Sequence, residues 1–527
     1  MVDSKVLVNG RIYVSFRPIR MAEALVTLNE RVAYVGIESK AMELADIFDS
    51  DVIDLKGKAT MPGFVDSHMH LDGLGSIFET LDLRGCRSIR QLKEKLREYI
   101  DGHEEMNYII GRGWDQELFV EKRYPTRWDI DEVEIGRPVI LTRICGHAAV
   151  LNSKALEEAG ILEKVSSPHL QRDADGEPTG IVTEGLLEFA EGKLQTSSNV
   201  RDLLRQFQNG LSYCASKGIT TLDFVSCTLE SYKALQILRK EGKLLVRVRV
   251  HMTPKALDAL SALGIRGGYG DSMLKVVGIK AFADGSLGAR TAWLSFPYGD
   301  QPGEFGSALI GEDELESLAR SAEDLDLQIA THAIGDRAID IILSAYGKIE
   351  STKRLRHRIE HCSIVRNDQV GRIKELGAAV TIQPHFVISD WWVTSRIGKE
   401  RARLAYPFKK MAIEIACIGI GTDCPVEPVN PWETVYAAVT RGAEDGVPLA
   451  SETQEEKLTL EETLDKYTYG SSCTLNEEND LGTLDPGKYA DFVILETDPF
   501  SVNVEQIRDL KVLETYVGGR RSFPFNP

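Results

Sequence analysis

Between residues 63 and 423 the chain alternates short β-rich apolar runs with stretches of helical periodicity, and this rhythm restricts its fold more than any other feature. The runs are GFVDSH (63–68), GITTLDFV (218–225), LLVRVRVHM (244–252), LKVVGIKAF (274–282), LQIATH (327–332), RHRIEH (356–361), AAVTIQPHF (378–386) and IACIGIGTD (415–423). Helical spacing of apolar residues fits 201–217, 229–240, 254–263, 312–325, 335–347, 367–376 and 399–412. Strands alternating with helices build an α/β fold around a parallel sheet, and eight such strands are the number that closes a (β/α)8 TIM barrel.

Two regions break the rhythm. After the first run the next strand signal waits until 218, so residues of about 72–200 are expected to form a large insertion on a barrel loop, partly helical and containing Trp and Arg. The chain ends alternate polar and apolar residues at 5–16 and 31–37, and VIDLKGKATMP closes the first region at Pro62. Near the C-terminus a Pro-Gly turn at 486–487 precedes ADFVIL, and VLETYVGGRRSF has the pattern of a hairpin with a Gly-Gly turn. Neither end is long enough to bury a core alone. They are expected to pair as one small β-sandwich domain, 1–60 plus 480–527, around a barrel domain of 61–479.

Charge and cysteine usage narrow the partners. Among 527 residues, 62 are Lys or Arg and 80 are Asp or Glu, a net charge of −18. That argues against nucleic acid or an anionic membrane surface as the main partner and leaves a small-molecule substrate, with a homodimer as one assembly the chain allows. The eight cysteines are sparse and none forms a CxxC pair. The N-terminus lacks the basic start and apolar run of a signal peptide, and no uncharged apolar stretch of ~20 residues occurs. The expected location is the cytoplasm.

The sharpest chemical signal is Asp66-Ser67-His68-Met69-His70 at the end of the first run. Side chains two apart on a strand point the same way, so His68 and His70 can share a metal ion. Lys280 lies near the end of the fourth strand, His332 closes the fifth, His361 the sixth and Asp423 the eighth. Barrel active sites gather at that rim. An ammonium cannot ligate a metal. Burial and a neighbouring dication favour the neutral amine of Lys280, which can take up carbon dioxide as a carbamate able to bridge two cations; the alternative is a lysine that snorkels outward or pairs with Asp284.

PGFVDSHMH, GHAAVLNSKAL, IKAFADGSLGART, THAIGDRAID, RIEHCSIV and GTDCPVEPVNPWE, in this order, resemble the amidohydrolase superfamily. The likeness is nearest to the YtcJ-like group of amidohydrolase family 3, which includes N-substituted formamide deformylases. It extends to the tail LGTLDPGKYADFVIL, similar to the family's closing β-sandwich segment. The resemblance implies that His68 and His70 hold the more buried metal and that Lys280 is carboxylated and bridging. It implies that His332 and His361 hold the more exposed metal, and that Asp423 touches the buried metal and shuttles a proton. The chain departs from the family pattern at Cys145, where an acidic residue commonly precedes Gly146-His147, and at Cys424, where a small residue is usual.

The expected activity is metal-dependent hydrolysis of an amide or N-acyl amine. A divalent metal, zinc for preference and one or two ions per subunit, would activate water, with Asp423 as general base and then general acid. A deaminase or cyclic-amide hydrolase is the alternative within the superfamily, and a non-catalytic metal-binding protein the alternative outside it. His147, in the insertion, is a candidate oxyanion donor or a structural partner of Asn152. Glu184 is a further ligand or hydrogen-bond partner. Arg290 could grip a substrate carboxylate or pair with Asp284, and Asp336 could cap the helix after His332 and orient that histidine. His251 and His385 are read as substrate contacts or satisfied core histidines, and Trp391 and Trp392 as the lining of an apolar substrate pocket or, the commoner use of tryptophan, as packing. His103, His169 and His357 are expected to be structural.

Overall fold

Phe64–Met69, Ile219–Cys227, Arg247–Met252, Leu274–Phe282, Gln328–Ala333, Arg358–His361, Ala379–Ile382 and Ile418–Ile420 pair in that order, every neighbouring pair parallel. In this computed structural model, which describes residues 3–144, 148–162, 167–183, 186–187, 189–190, 193 and 200–524, they form a nearly closed eight-stranded barrel. First and eighth strands are joined by Ser67 Oγ donating to the Ile420 carbonyl at 2.9 Å and by the backbone N–H of Asp423 donating to the His68 carbonyl at 2.7 Å. Phe64–Met69 is buried along its whole length, as a parallel strand covered on both faces must be.

Helices lie between the strands where apolar spacing places them, among them Val200–Ser216, Leu229–Lys240, Glu312–Glu323, Asp336–Gly347 and Asn367–Leu376. The helix expected over 399–412 is two pieces, a 3₁₀ segment Lys399–Leu404 and an α-helix Phe408–Glu414. Pro407 between them has no N–H to continue a helix and sits as the N-cap of the second piece.

Both chain ends are β structure. One sheet orders Arg31–Gly36, Ala24–Leu28, Ser4–Val8 and Asp51–Asp54; a second orders Arg520–Phe523, Val512–Val517, Phe492–Leu495, Ala59–Pro62, Arg11–Phe16 and Ile19–Ala22. The chain termini meet where Phe492–Leu495 pairs antiparallel with Ala59–Pro62. Leu7 and Leu25 of the first sheet share one core with Ile12, Val14, Phe492, Ile494 and Tyr516 of the second. The C-terminal hairpin turns through Gly518 and Gly519, both at positive φ (57° and 70°), the conformation that a tight two-residue turn requires. The N-terminal region also contains a helix, Glu38–Phe48, which packs Ala41 and Ala45 inward and which strand alternation does not anticipate.

The insertion after the first barrel strand is a second unit, Leu74–Phe207. It has its own sheet, ordered Leu170–Arg172, Pro178–Thr183, Ala148–Leu151, Val139–Arg143, Ile109–Trp114 and Thr80–Asp82. Its core gathers Leu92, Leu96, Trp114, Phe119, Ile130 and Leu141, with the Trp114 indole N–H donating to the Leu141 carbonyl at 2.6 Å.

Cys417 and Cys473 are disulfide-bonded across a separation of 56 residues, a spacing that carries no sequence signal. Cys86, Cys214, Cys227, Cys362 and Cys424 are free and buried. Among the described residues no helix is long and apolar enough to cross a membrane.

Candidate metal centre

His68 and His70 leave the first strand toward Asp423, which follows the eighth. Ligating atoms of the three residues all lie within 4.8 Å of one another. Asp423 Oδ1 is 3.3 Å from His68 Nε2 and 3.2 Å from His70 Nε2. Gly421 permits this approach. A Cβ at that position would stand 2.5 Å from the His68 backbone nitrogen and 2.7 Å from its Cβ. Asp423 (φ 59°) and His361 (φ 72°) both hold left-handed backbone conformations, strain of a kind that gathers at functional sites.

The other barrel-end candidates adjoin this trio. The His68 ring lies 4.9 Å from that of His361, which lies 4.5 Å from that of His332. Lys280 is buried and its Nζ has no hydrogen-bond partner; it sits 5.0 Å from the ring of Phe282, which in turn is 5.5 Å from the ring of His332. Lys280 therefore neither snorkels outward nor pairs with Asp284. Burial lowers its pKa to about 8, against the pull of Glu360 and Asp423. His332 is lowered to about 3, by burial and by Lys280, and His361 lies well below its usual value, by burial and by His332. Both imidazoles are neutral at pH 7 and keep a lone pair for a cation. Burial opposes ionisation of Asp423, but hydrogen bonds from His68 and His70, and charge from His68, hold it well below the carboxylate range.

Beneath the cluster runs a buried polar chain that the motifs do not announce. His68 Nδ1 meets Glu360, whose other oxygen accepts from Arg358 Nε at 2.7 Å. Arg358 reaches Asp223 at 2.8 Å, and Asp223 accepts from His251 Nδ1 at 2.9 Å. His251 Nε2 is 3.0 Å from Gln328 Oε1, so His251 is a satisfied core histidine. With Nδ1–H directed at Glu360, His68 turns Nε2 to the Asp423 side, the nitrogen that would give up its proton to hold a cation. A signal existed in the sequence: RHRIEH and LLVRVRVHM place a charged or polar residue at every second position, the mark of strands with a polar inner face.

Several secondary expectations resolve differently. Arg290 pairs with Asp300 at 2.8 Å and not with Asp284. Asp284 is already committed, accepting from the backbone N–H groups of Trp293, Ile334 and Gly335 at 2.7–3.0 Å. It is Asp284, 3.5 Å from His332 Nε2, that flanks this histidine. Asp336 does not orient His332: Gly335 is the N-cap of its helix, and the Asp336 carboxylate accepts from Ser295 and Arg366. His332 Nε2–H donates to the Gly285 carbonyl at 3.0 Å. His385 pairs with Glu427, and Trp391 is 61% exposed. His147, Cys145 and Glu184 lie outside the described residues.

The donor set fits a divalent cation. Two imidazoles and a carboxylate converge, two more neutral imidazoles stand beside them, and Lys280 Nζ and His361 Nδ1 are buried without partners in the same place.

Known proteins resemble this chain. The protein YtcJ of Bacillus subtilis is 31% identical over 97% of this chain and 98% of its own. An N-substituted formamide deformylase of Arthrobacter pascens is 26% identical over 94% of each. A crystal structure of an uncharacterized metal-dependent hydrolase from Pyrococcus horikoshii superposes with a TM-score of 0.86 at 38% identity, covering 95% of this chain and 99% of the other. A profile of the amidohydrolase family matches residues 51–523, and the chain belongs to that family.

Proposed function

We propose that this amidohydrolase-family protein hydrolyses a C–N bond, in an amide or N-acyl amine, with the help of one or two divalent cations, zinc for preference. The observation that carries the reading is the convergence of His68, His70 and Asp423 within 4.8 Å at the barrel end. His68, His70 and Asp423 would hold one cation, and His332 and His361 a second. Lys280, as a carbamate formed from its neutral amine and carbon dioxide with release of a proton, would add a further anionic ligand. When bound, a divalent cation supplies Lewis acidity and makes water a competent nucleophile near neutral pH.

The remaining steps belong to the chain. Asp423, ionised and held between His68 and His70, accepts a proton from the water that attacks the carbonyl carbon. It returns that proton to the leaving nitrogen as the C–N bond breaks, so that a neutral amine departs in place of an amide anion. Glu360 holds His68 in one tautomer throughout. His147 is the proposed donor to the carbonyl oxygen. The name of the Arthrobacter relative denotes removal of a formyl group from an N-substituted amide, which supports the reaction class.

A screen of N-acyl amines, formamides, cyclic imides and aminopurines with metal-supplemented protein tests the reading. Asp423→Asn is expected to retain metal, because an amide oxygen can still ligate, while kcat falls by about 10²–10⁴ with loss of the proton shuttle. Undiminished turnover in that variant would remove Asp423 from the mechanism, and activity confined to aminopurines would move the protein to the deaminases.

A further inference from the structure

Two side chains just past the end of the seventh barrel strand, Gln383 and His385, carry polar atoms that no part of the cation site accounts for. The ladder sets Thr381 level with Glu360 on one side and Gly419 on the other. Ile382, level with Ile420, accepts the N–H of Gly421, the glycine that packs against His68, and Gln383 follows directly at that end of the strand. Gln383 is 2% exposed, and neither its Nε2 nor its Oε1 has a hydrogen-bond partner. A carboxamide with both atoms buried and unmet is costly, and its presence points to a ligand that meets them.

His385 adds a second, independent observation. Its Nδ1 is paired with Glu427, whose other oxygen accepts from Ser389 Oγ at 2.5 Å. Glu427 is buried and stands four residues beyond Asp423, with the turn between them closed by the Val426 N–H donating to the Asp423 carbonyl at 2.9 Å. The next residue along, Phe386, lies 6.2 Å from the ring of His361. The imidazole is thus fixed beside the site with its N–H spent on a carboxylate. Nε2, on the side away from Glu427, is engaged by no described residue.

We propose that Gln383 and His385 bind the scissile group and select secondary amides: His385 Nε2 accepts the substrate's N–H, Gln383 Nε2 donates to its carbonyl oxygen, and Gln383 Oε1 accepts from the attacking water. This rests on the amide-hydrolase reading above. A tertiary amide has no N–H, so it leaves His385 Nε2 unmet and is discriminated against.

The test uses full-length, zinc-supplemented protein and matched secondary and N-methylated tertiary formamides. Wild type should favour the secondary amide in kcat/KM by about tenfold or more. His385→Ala should lose about tenfold on the secondary amide, stay within about twofold on the tertiary one, and so erase the preference. His385→Gln, which restores an acceptor, should recover part of it. Gln383→Leu should weaken both substrates alike, because both carry the carbonyl. Bound zinc per chain should match wild type in every variant. An unchanged preference in His385→Ala, or loss of zinc in step with activity, overturns the assignment, and so does a wild type that treats both amides equally. Zinc binding without turnover of either amide overturns the amide-hydrolase reading and this pairing with it.

Discussion

At the scale of single residues, burial decides what each ionisable group can do. Lys280 and His361 keep unpartnered nitrogens in the barrel interior, an arrangement that makes sense only if a bound group satisfies them. Asp390 shows the same physics outside the cation cluster. Burial raises its pKa to about 6, although the Tyr406 hydroxyl, donating at 2.5 Å, partly offsets the shift. Its folded value lies above its unfolded one, so its contribution to stability is complete below about pH 4 and is lost as pH rises through 6. Asp390→Asn should therefore stabilise the protein by about 3 kcal/mol at pH 7 and by almost nothing at pH 4, as read by denaturant unfolding at the two pH values. The strand-end histidines, Lys280 and Asp423 were legible in the sequence from strand-end position alone. Asp284 was not, because a carboxylate that serves backbone N–H groups from two loops leaves no spacing to read.

At the scale of elements, alternation does two jobs in each barrel strand. One face carries apolar residues to the helices, and the other carries the chain from His68 through Glu360, Arg358 and Asp223 to His251. Glu360 and His361 are adjacent, so one strand supplies both a candidate ligand and the carboxylate that orients another. Glu360→Ala should weaken zinc binding about 10- to 100-fold in calorimetric titration, whereas Glu360→Gln, which still accepts from His68, should cost much less. Equal affinities for both variants and wild type would reduce Glu360 to a packing role. The sixth strand's RIEH motif marks its histidine by position, while the polar residues at every second position mark the ionic barrel interior. The expected helix 399–412 breaks for an equally local reason, since Pro407 outweighs apolar spacing.

At the scale of the molecule, the barrel is tied to the terminal β sheets by buried charge. Arg247, at the start of the third strand, is fully buried and bidentate to Asp491, at 2.7 and 2.9 Å, and Asp491 also accepts from the Gly518 N–H in the C-terminal hairpin. Removing one partner leaves the other buried and unpaired. Arg247→Leu should cost about 3–5 kcal/mol in denaturant unfolding, and adding Asp491→Asn should recover part of that loss, since the neutral amide still accepts from Gly518. Simple addition of the two costs would contradict the pairing. The eight-strand count, the insertion after the first strand and the β character of both ends were visible in hydrophobic periodicity. The helix Glu38–Phe48 was not, because its inward face is two alanines, too faint a stripe to stand out.

The claim on which function depends is that the barrel end holds divalent metal through His68, His70 and Asp423. Calorimetric titration of metal-stripped protein with zinc tests it most directly, with wild type compared to the His68→Ala/His70→Ala double variant. The account predicts one or two zinc ions per chain in wild type and the loss of at least one in the double variant, with the fold intact by circular dichroism. Equal zinc stoichiometry and affinity in the two proteins would contradict it.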